Sequence, residues 1–151
     1  MKTLKTYLIV LLSVMAFSSC STDKTMIANG ANLNKYEYAS LVQTKNGFGT
    51  TTDIEIEPGI YDAIESTRLS MVGDRRIDDL SSDQKAKLVL AKYSATSNEN
   101  GSTLSISFED YMTGKTVASC RASSKGAWTR QRDVDRAIRK LAGRIEKVWG
   151  K

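Results

Sequence analysis

The stretch that decides the fold is "LVLAKYSATSNENGSTLSISFEDYMTGKTVASCRAS", Leu88 to Ser123. Its apolar residues alternate with serines and other polar residues, which is the period of a strand with one buried face. The segments "NENG" and "MTGK" interrupt the alternation with the Asn and Gly residues that tight turns use. We therefore predict three antiparallel strands joined by two turns. The predicted inward residues of the second and third strands are Leu104, Ile106, Phe108, Ala118, Cys120 and Ala122.

The segment that follows, "TRQRDVDRAIRKLAGRIEKVWGK", predicts a strongly amphipathic helix. Its apolar residues recur every three or four positions and form one stripe at a period of 3.6 residues. Thr129 is suited to cap the N-terminus, and Trp149 extends the stripe at the other end. The residues of the stripe are Val134, Ile138, Leu141, Ile145 and Val148.

The residues before Leu88 predict shorter elements. "YEYASLV" (36–42) has the aromatic and β-branched content of a strand, and a helix is expected from about Glu57 to Leu69. A short strand in "LSMVGDRRI" and a turn or brief helix capped by Ser81 or Ser82 follow. The predicted order is β-α-β-(short α)-β-β-β-α. We expect one α+β domain over residues 36–151, an antiparallel sheet of about five strands with two long helices packed on one face.

Composition limits the chemistry that the chain can perform. Histidine is absent, which excludes Ser-His-Asp and Cys-His catalysis and most zinc sites. The sequence has no phosphate-binding loop, nucleophile motif or metal-ligand spacing. We therefore expect no catalytic residue, no cofactor and no metal. The net charge of +5 is too small to favour a dedicated nucleic-acid binder.

Residues 1–19 have the organisation of a lipoprotein signal peptide. Lys2 and Lys5 precede an apolar run from Tyr7 to Phe17, and the small residues Ser18 and Ser19 close it. A membrane-spanning helix needs about 20 apolar residues, so this run is too short to be one. Without the two leader lysines, 20 basic residues remain against 17 acidic ones, a net charge of +3.

The sequence Phe17-Ser18-Ser19-Cys20 resembles the lipobox of bacterial lipoproteins, although Phe17 replaces the usual aliphatic residue. The resemblance implies cleavage before Cys20. It also implies that Cys20 then carries diacylglycerol and an N-acyl chain, with palmitate among the fatty acids. Two alternatives stay open: cleavage after Ser18 by ordinary signal peptidase, and a Cys20–Cys120 disulfide. Residues 20–35 are rich in Ser, Thr, Asn, Gly and Ala, so we expect the lipidated cysteine and a flexible tether there.

We expect the lipid to hold the protein at the bacterial outer membrane, with the domain facing the periplasm. The inner membrane and the cell surface remain alternatives. The expected partners are the membrane and an envelope protein or cell-wall component. The sequence leaves the oligomeric state open. A possible partner surface consists of Tyr111, Trp128, Arg136, Arg139, Arg144 and Lys147. A solvated helix face explains the same charges, and core packing is the commoner fate of aromatic residues.

The run "STLSISFEDYMTGKTVASCRAS", a Gly-containing link and the C-terminal helix resemble a pattern of small bacterial envelope lipoproteins. These are similar to the penicillin-binding-protein activator LpoB, the TolB N-terminal domain and the curli-export lipoprotein CsgG. The likeness covers residues 36–149 in element order. It implies an accessory or assembly role with protein partners. The residues that carry it are Glu109, Asp110, Thr113, Gly114, Lys115 and Val117.

These observations favour a lipid-anchored, non-enzymatic envelope lipoprotein whose domain binds a partner. The alternative is a carrier of a small ligand in a pocket between sheet and helices, and a carboxylate-based hydrolase is least favoured. A deep apolar cavity would favour the carrier. A filled core with an exposed aromatic or basic patch would favour partner binding.

Overall fold

A computed structural model of the protein describes residues 23–43, 52–73, 76–98 and 101–150. The leader, Cys20 and residues 44–51 lie outside these ranges. The strands are β1 (Lys24–Ile27), β2 (Tyr38–Gln43), β3 (Ser70–Met71), β4 (Leu88–Asn98), β5 (Gly101–Asp110) and β6 (Thr116–Ser124). The helices are α1 (Thr52–Glu65), α2 (Ser82–Lys85) and α3 (Arg130–Trp149), with a 3₁₀ turn at Leu33–Lys35.

The described strands form a six-stranded mixed sheet in the order β1-β6-β5-β4-β2-β3. β2 runs parallel to both β3 and β4, whereas the β4–β5, β5–β6 and β1–β6 pairs are antiparallel. The predicted antiparallel sheet of about five strands is therefore wrong. Helix α1 lies in the connection between β2 and β3. This connection is long enough for a crossover, so the two strands can pair in parallel.

The sixth strand, β1, lies in the range expected to be a flexible tether. Lys24 lies opposite Arg121 and Ile27 opposite Ala118, so the segment adds an antiparallel edge to β6. Composition suggested a tether because the surrounding residues are small and polar. The residues that hold β1 in place are on β6 and α3, roughly a hundred positions away.

The three-stranded meander of β4, β5 and β6 is confirmed. Asn98 pairs with Gly101 at one turn, and Glu109 pairs with Thr116 beside the other. Burial alternates strictly along β5, as the serine-apolar pattern predicts. The predicted inward residues of β5 and β6 are all buried: Leu104, Ile106, Phe108, Ala118, Cys120 and Ala122.

Helix α3 also agrees with the prediction. The Thr129 hydroxyl accepts the Arg132 backbone N–H and caps the helix. Helix α1 begins five residues earlier than predicted and ends at Glu65, with Pro58 in its interior. It stops there because the Thr67 hydroxyl donates to the Ile64 carbonyl and accepts the Leu69 N–H, which satisfies the helix end locally.

Both long helices pack on the same face of the sheet and enclose the core. Trp149, from the last turn of α3, meets the rings of Phe108 and Tyr36 edge-on, with centroids 5.2 and 6.0 Å away. The Arg68 guanidinium lies over the same indole and donates to the carbonyls of Tyr36 and Leu33. Large side chains of β5, of α3 and of the segments before β2 and β3 therefore fill the space between sheet and helices.

Candidate functional site

The face of the sheet opposite the helices carries polar side chains across four strands. Alternation along the strands sends every second side chain to this outer face. Its ordered contacts are a 2.7 Å hydrogen bond between the Ser94 and Ser105 hydroxyls and a 2.5 Å ion pair between Lys92 and Glu109. The outer face includes Lys24, Met26, Lys92, Ser94, Ser105, Ser107, Glu109, Ser119 and Arg121.

These side chains line an open depression of about 570 Å³ across β1, β6, β5 and β4. Lys24 and Arg121 lie directly opposite each other in the β1–β6 register, although like charges in this position destabilise a sheet. Met26 is half-exposed at the rim of the depression. The depression therefore combines hydroxyl groups, two adjacent cations and one apolar side chain, which suits a polar or anionic group of a partner.

The adjacent carboxylates Glu109 and Asp110 point to opposite faces, as strand geometry requires. Glu109 pairs with Lys92 on the outer face, and Asp110 is buried at the end of β5. The two groups cannot act together on one substrate. A hydrolase based on this pair has no geometric support.

Asp110 is the centre of a buried hydrogen-bond cluster. Its Oδ2 accepts from Lys35 Nζ and from the Tyr36 hydroxyl, each at 2.8 Å, and its Oδ1 accepts from the Thr113 backbone N–H at 2.8 Å. Burial alone would raise the pKa of Asp110, but these donors hold that pKa well below its usual range. Burial and the neighbouring carboxylate raise the pKa of Tyr36 to about 12. The cluster joins the 3₁₀ turn to the β5–β6 turn, so its role is structural.

Cys120 is a free, buried thiol on the inner face of β6. Burial raises its pKa to about 11, against weaker opposing effects from Thr25 and Arg144. A thiol in this state is a small core residue and a poor nucleophile. Cys20 lies outside the described residues, so its lipidation stays a prediction.

The basic residues predicted on α3 divide into two groups. Arg136, Arg139 and Lys147 are exposed. Arg144 instead donates to the Thr25 hydroxyl at 3.4 Å and lies 3.6 Å from the Asp23 carboxylate, so it holds β1 against the helix. Lys140 lies 3.8 Å from the same carboxylate. Arg144 is thus a structural contact as well as a surface charge.

The two aromatic residues of the predicted surface lie at opposite ends of the domain. Tyr111 begins the β5–β6 turn, and its backbone N–H donates to the Leu88 carbonyl at the start of β4. Trp128 lies in the loop after β6, at the other end, and is 93% exposed. The predicted residues therefore do not form one continuous patch.

Asp23 is the residue that sequence reasoning missed. Its side chain is only 9% exposed, although it stands in a polar segment with the composition of a linker. The local sequence gives no signal for it, because "KTMI" (24–27) has no alternation of polar and apolar residues and is mostly exposed. A strand this short is recognised only through its pairing with β6.

No group of three or more His, Cys, Asp or Glu side chains within the described ranges could hold a metal ion. Across those same ranges, no helix combines the length and the apolar character needed to cross a membrane.

Known proteins resemble this chain in fold alone. No protein-family model matches it, and no curated protein sequence matches it. Among solved structures, the PelC dodecamer from Paraburkholderia phytofirmans aligns with a TM-score of 0.55 and 11% identity, covering 86% of this chain and 99% of that one. A point variant of the same protein aligns at 0.52 and 10%, covering 82% and 98%. Neither is one of the three lipoproteins named above, so that resemblance stays a prediction; the chain is similar to PelC in the fold.

Proposed function

We propose that this chain is a lipid-anchored envelope lipoprotein whose non-enzymatic domain binds an envelope partner through the outer face of the sheet. One observation carries the proposal. Both long helices pack on the inner face, whereas the outer face of β1, β6, β5 and β4 carries an open depression. The leader and Cys20 supply the anchor in this proposal, as the lipobox-like sequence predicts.

The filled interior supports partner binding over the carrier alternative. A carrier needs a pocket of several hundred Å³ lined mostly by apolar groups. Here Trp149, Phe108, Ile56 and Ile60 fill the space between sheet and helices, and the depression outside is open and lined largely by hydroxyl and charged side chains. Its hydroxyls and cations suit hydrogen bonds with a protein partner.

A photo-crosslinking residue at Ser107 tests this proposal in native membranes. We expect Ser107 to crosslink to one discrete envelope protein, identified by mass spectrometry. The same group at Tyr61, which is exposed on α1, is the matched control and should give no such product. Equal crosslinking at both positions, or none at Ser107, would contradict a partner on the outer face.

The anchor has its own test. Cys20→Ala should abolish incorporation of labelled fatty acid and release the domain from the membrane. Continued lipid labelling of that variant would contradict lipid attachment at Cys20. It would not bear on the proposed partner surface.

Self-association is a second candidate, favoured by the edge strand β1. Met26 and Ile27 are exposed there, and an edge strand offers unpaired backbone groups to another chain. Both structural neighbours are dodecamers by their titles. Native mass spectrometry of the purified protein should then show a defined oligomer that Ile27→Lys reduces to monomer. A monomer at all concentrations would reject this candidate.

A further inference from the structure

We propose that the end of the domain nearest Cys20 docks on an anionic phospholipid surface, with the Trp128 indole in the head-group layer and Lys24, Lys125 and Arg132 around it. The inference rests on the proposed lipid attachment at Cys20. It adds that the domain sits against the membrane in one orientation instead of hanging from a long tether.

The first step is the position at which the chain enters the domain. The Asp23 carboxylate accepts the Ser123 backbone N–H at 2.8 Å and is flanked by Lys140 and Arg144 of α3. Residue 23 is therefore fixed to the domain. Three peptide units separate it from Cys20, and at 3.8 Å each they span at most about 11 Å.

The second step identifies which end of the domain faces that anchor. β1 is antiparallel to β6, so the chain traced back from Lys24 moves towards Ser124 and the loop that follows it. That loop holds Trp128. The described residues at this end include the start of β1, the loop 125–129, the first turn of α3, the end of β4 and the start of β5.

The third step concerns the exposure of Trp128. Contacts fix the loop before and after Trp128: Asp133 Oδ1 accepts the Ser124 hydroxyl at 2.9 Å and the Ala127 backbone N–H at 3.3 Å, and the Thr129 hydroxyl caps α3. The exposed indole is thus presented by a supported loop. Tryptophan is the side chain most typical of the boundary between lipid and water, because its ring is apolar and its N–H is polar.

The fourth step is charge. The described basic residues at this end are exposed: Lys24, Arg121, Lys125, Arg130 and Arg132. Of the described carboxylates near them, Asp23 and Asp133 are nearly buried and occupied by hydrogen bonds within the domain, and Asp135 accepts a hydrogen bond from Gln131. This end therefore presents positive charge outward. The anchor holds it within about 11 Å of the head groups, a distance on the order of the Debye length of about 8 to 10 Å over which anionic lipid attracts cations.

The test uses full-length protein produced with its leader and purified from membranes. It is reconstituted into vesicles of phosphatidylcholine alone or of phosphatidylcholine with phosphatidylglycerol. Quenching of Trp128 by brominated lipid is obtained as the difference between wild type and Trp128→Phe, because Trp149 is fully buried and contributes a constant background. We expect strong quenching in anionic vesicles, and little in neutral ones or at high salt.

Charge variants sharpen the test. Lys125→Glu with Arg132→Glu should weaken the quenching, by about fivefold or more for each cation changed. Lys85→Glu with Lys115→Glu makes the same charge change at the opposite end and should leave it unaltered. Equal quenching in the two double variants would overturn the proposal.

Two further outcomes also overturn it. One is Trp128 fully accessible to iodide in anionic vesicles. The other is protection of Trp128 from iodide that depends on protein concentration and not on lipid. That result would assign Trp128 to a contact between protein molecules. Mass analysis of the Cys20 peptide in the same sample reports lipidation separately, so failure of docking and failure of the anchor are distinguishable.

Discussion

The Asp23 carboxylate accepts a 2.8 Å hydrogen bond from the backbone N–H of Ser123, 100 residues later in the chain. This contact joins the start of β1 to the end of β6 and brings Asp23 within reach of Lys140 and Arg144. A segment with the composition of a tether is thereby made the edge of the sheet. Any lipid on Cys20 is attached only three residues from the folded domain.

Removal of this carboxylate should detach β1 from the sheet. We expect Asp23→Ala to lower the free energy of unfolding by about 1 to 2 kcal/mol, because a buried hydrogen-bonded charge is lost. The amide protons of residues 24–27 should exchange faster with solvent, as measured by hydrogen–deuterium exchange. Asp135→Ala, which removes an exposed carboxylate on α3, should change neither quantity. Unchanged exchange in β1 would contradict the assignment.

The two tryptophans should differ sharply in their contribution to stability. Trp149→Ala leaves a cavity against Phe108 and Tyr36, and we expect a loss of about 3 to 5 kcal/mol. Trp128→Ala removes an exposed ring and should change stability by less than about 0.5 kcal/mol. Urea denaturation measures both. Similar losses in the two variants would mean that Trp128 packs against the domain.

Two helical glycines should respond to alanine with opposite signs. A Cβ at Gly59 would lie 2.9 Å from Ile138 Cγ2, where α1 meets α3, so Gly59→Ala should cost about 1 kcal/mol or more. At Gly143 a Cβ meets nothing within 4 Å, and Gly143→Ala should stabilise α3 by about 0.5 to 1 kcal/mol. Thermal unfolding checks the signs. Stabilisation by both substitutions would show that α1 moves easily away from α3.

The Asp110 cluster should make stability depend on acid pH. The folded-state pKa of Asp110 lies below its unfolded value of about 3.9, so its contribution is present above that value and is lost as pH falls through the folded pKa. We expect Asp110→Asn to cost about 2 kcal/mol at pH 7 and to flatten the fall in stability between about pH 5 and 2. Asp79→Asn, at an exposed position, is the control. A variant with the wild-type pH profile would argue against this role.

Cys120 should be unreactive in the folded protein. With its pKa raised from 9.0 to about 11, its thiolate fraction at pH 8 falls roughly 100-fold, and burial blocks access as well. In a Cys20→Ser chain, where Cys120 is the remaining cysteine, iodoacetamide should label the native protein far more slowly than the urea-unfolded protein. Equal labelling rates in the two states would place the thiol at the surface.

Some of this architecture follows from the sequence because it depends on local periods. Alternation at period two requires β5 to have one buried face, and a 3.6-residue stripe requires α3 to have one. The Thr129 cap and the turn glycines act within a few residues of their own positions. These features were predicted from neighbouring residues, and the structure has them.

Tertiary structure decided what depends on distant partners. The parallel pairing of β2 with β4, the addition of β1 and the fixing of Asp23 by Ser123 join residues that are far apart in the chain, and strand pairing through backbone groups has little sequence signature. The two tryptophans make the same point, since one is fully buried and the other almost fully exposed. Residue type sets what a side chain can do, but only the packed chain determines which surface it meets.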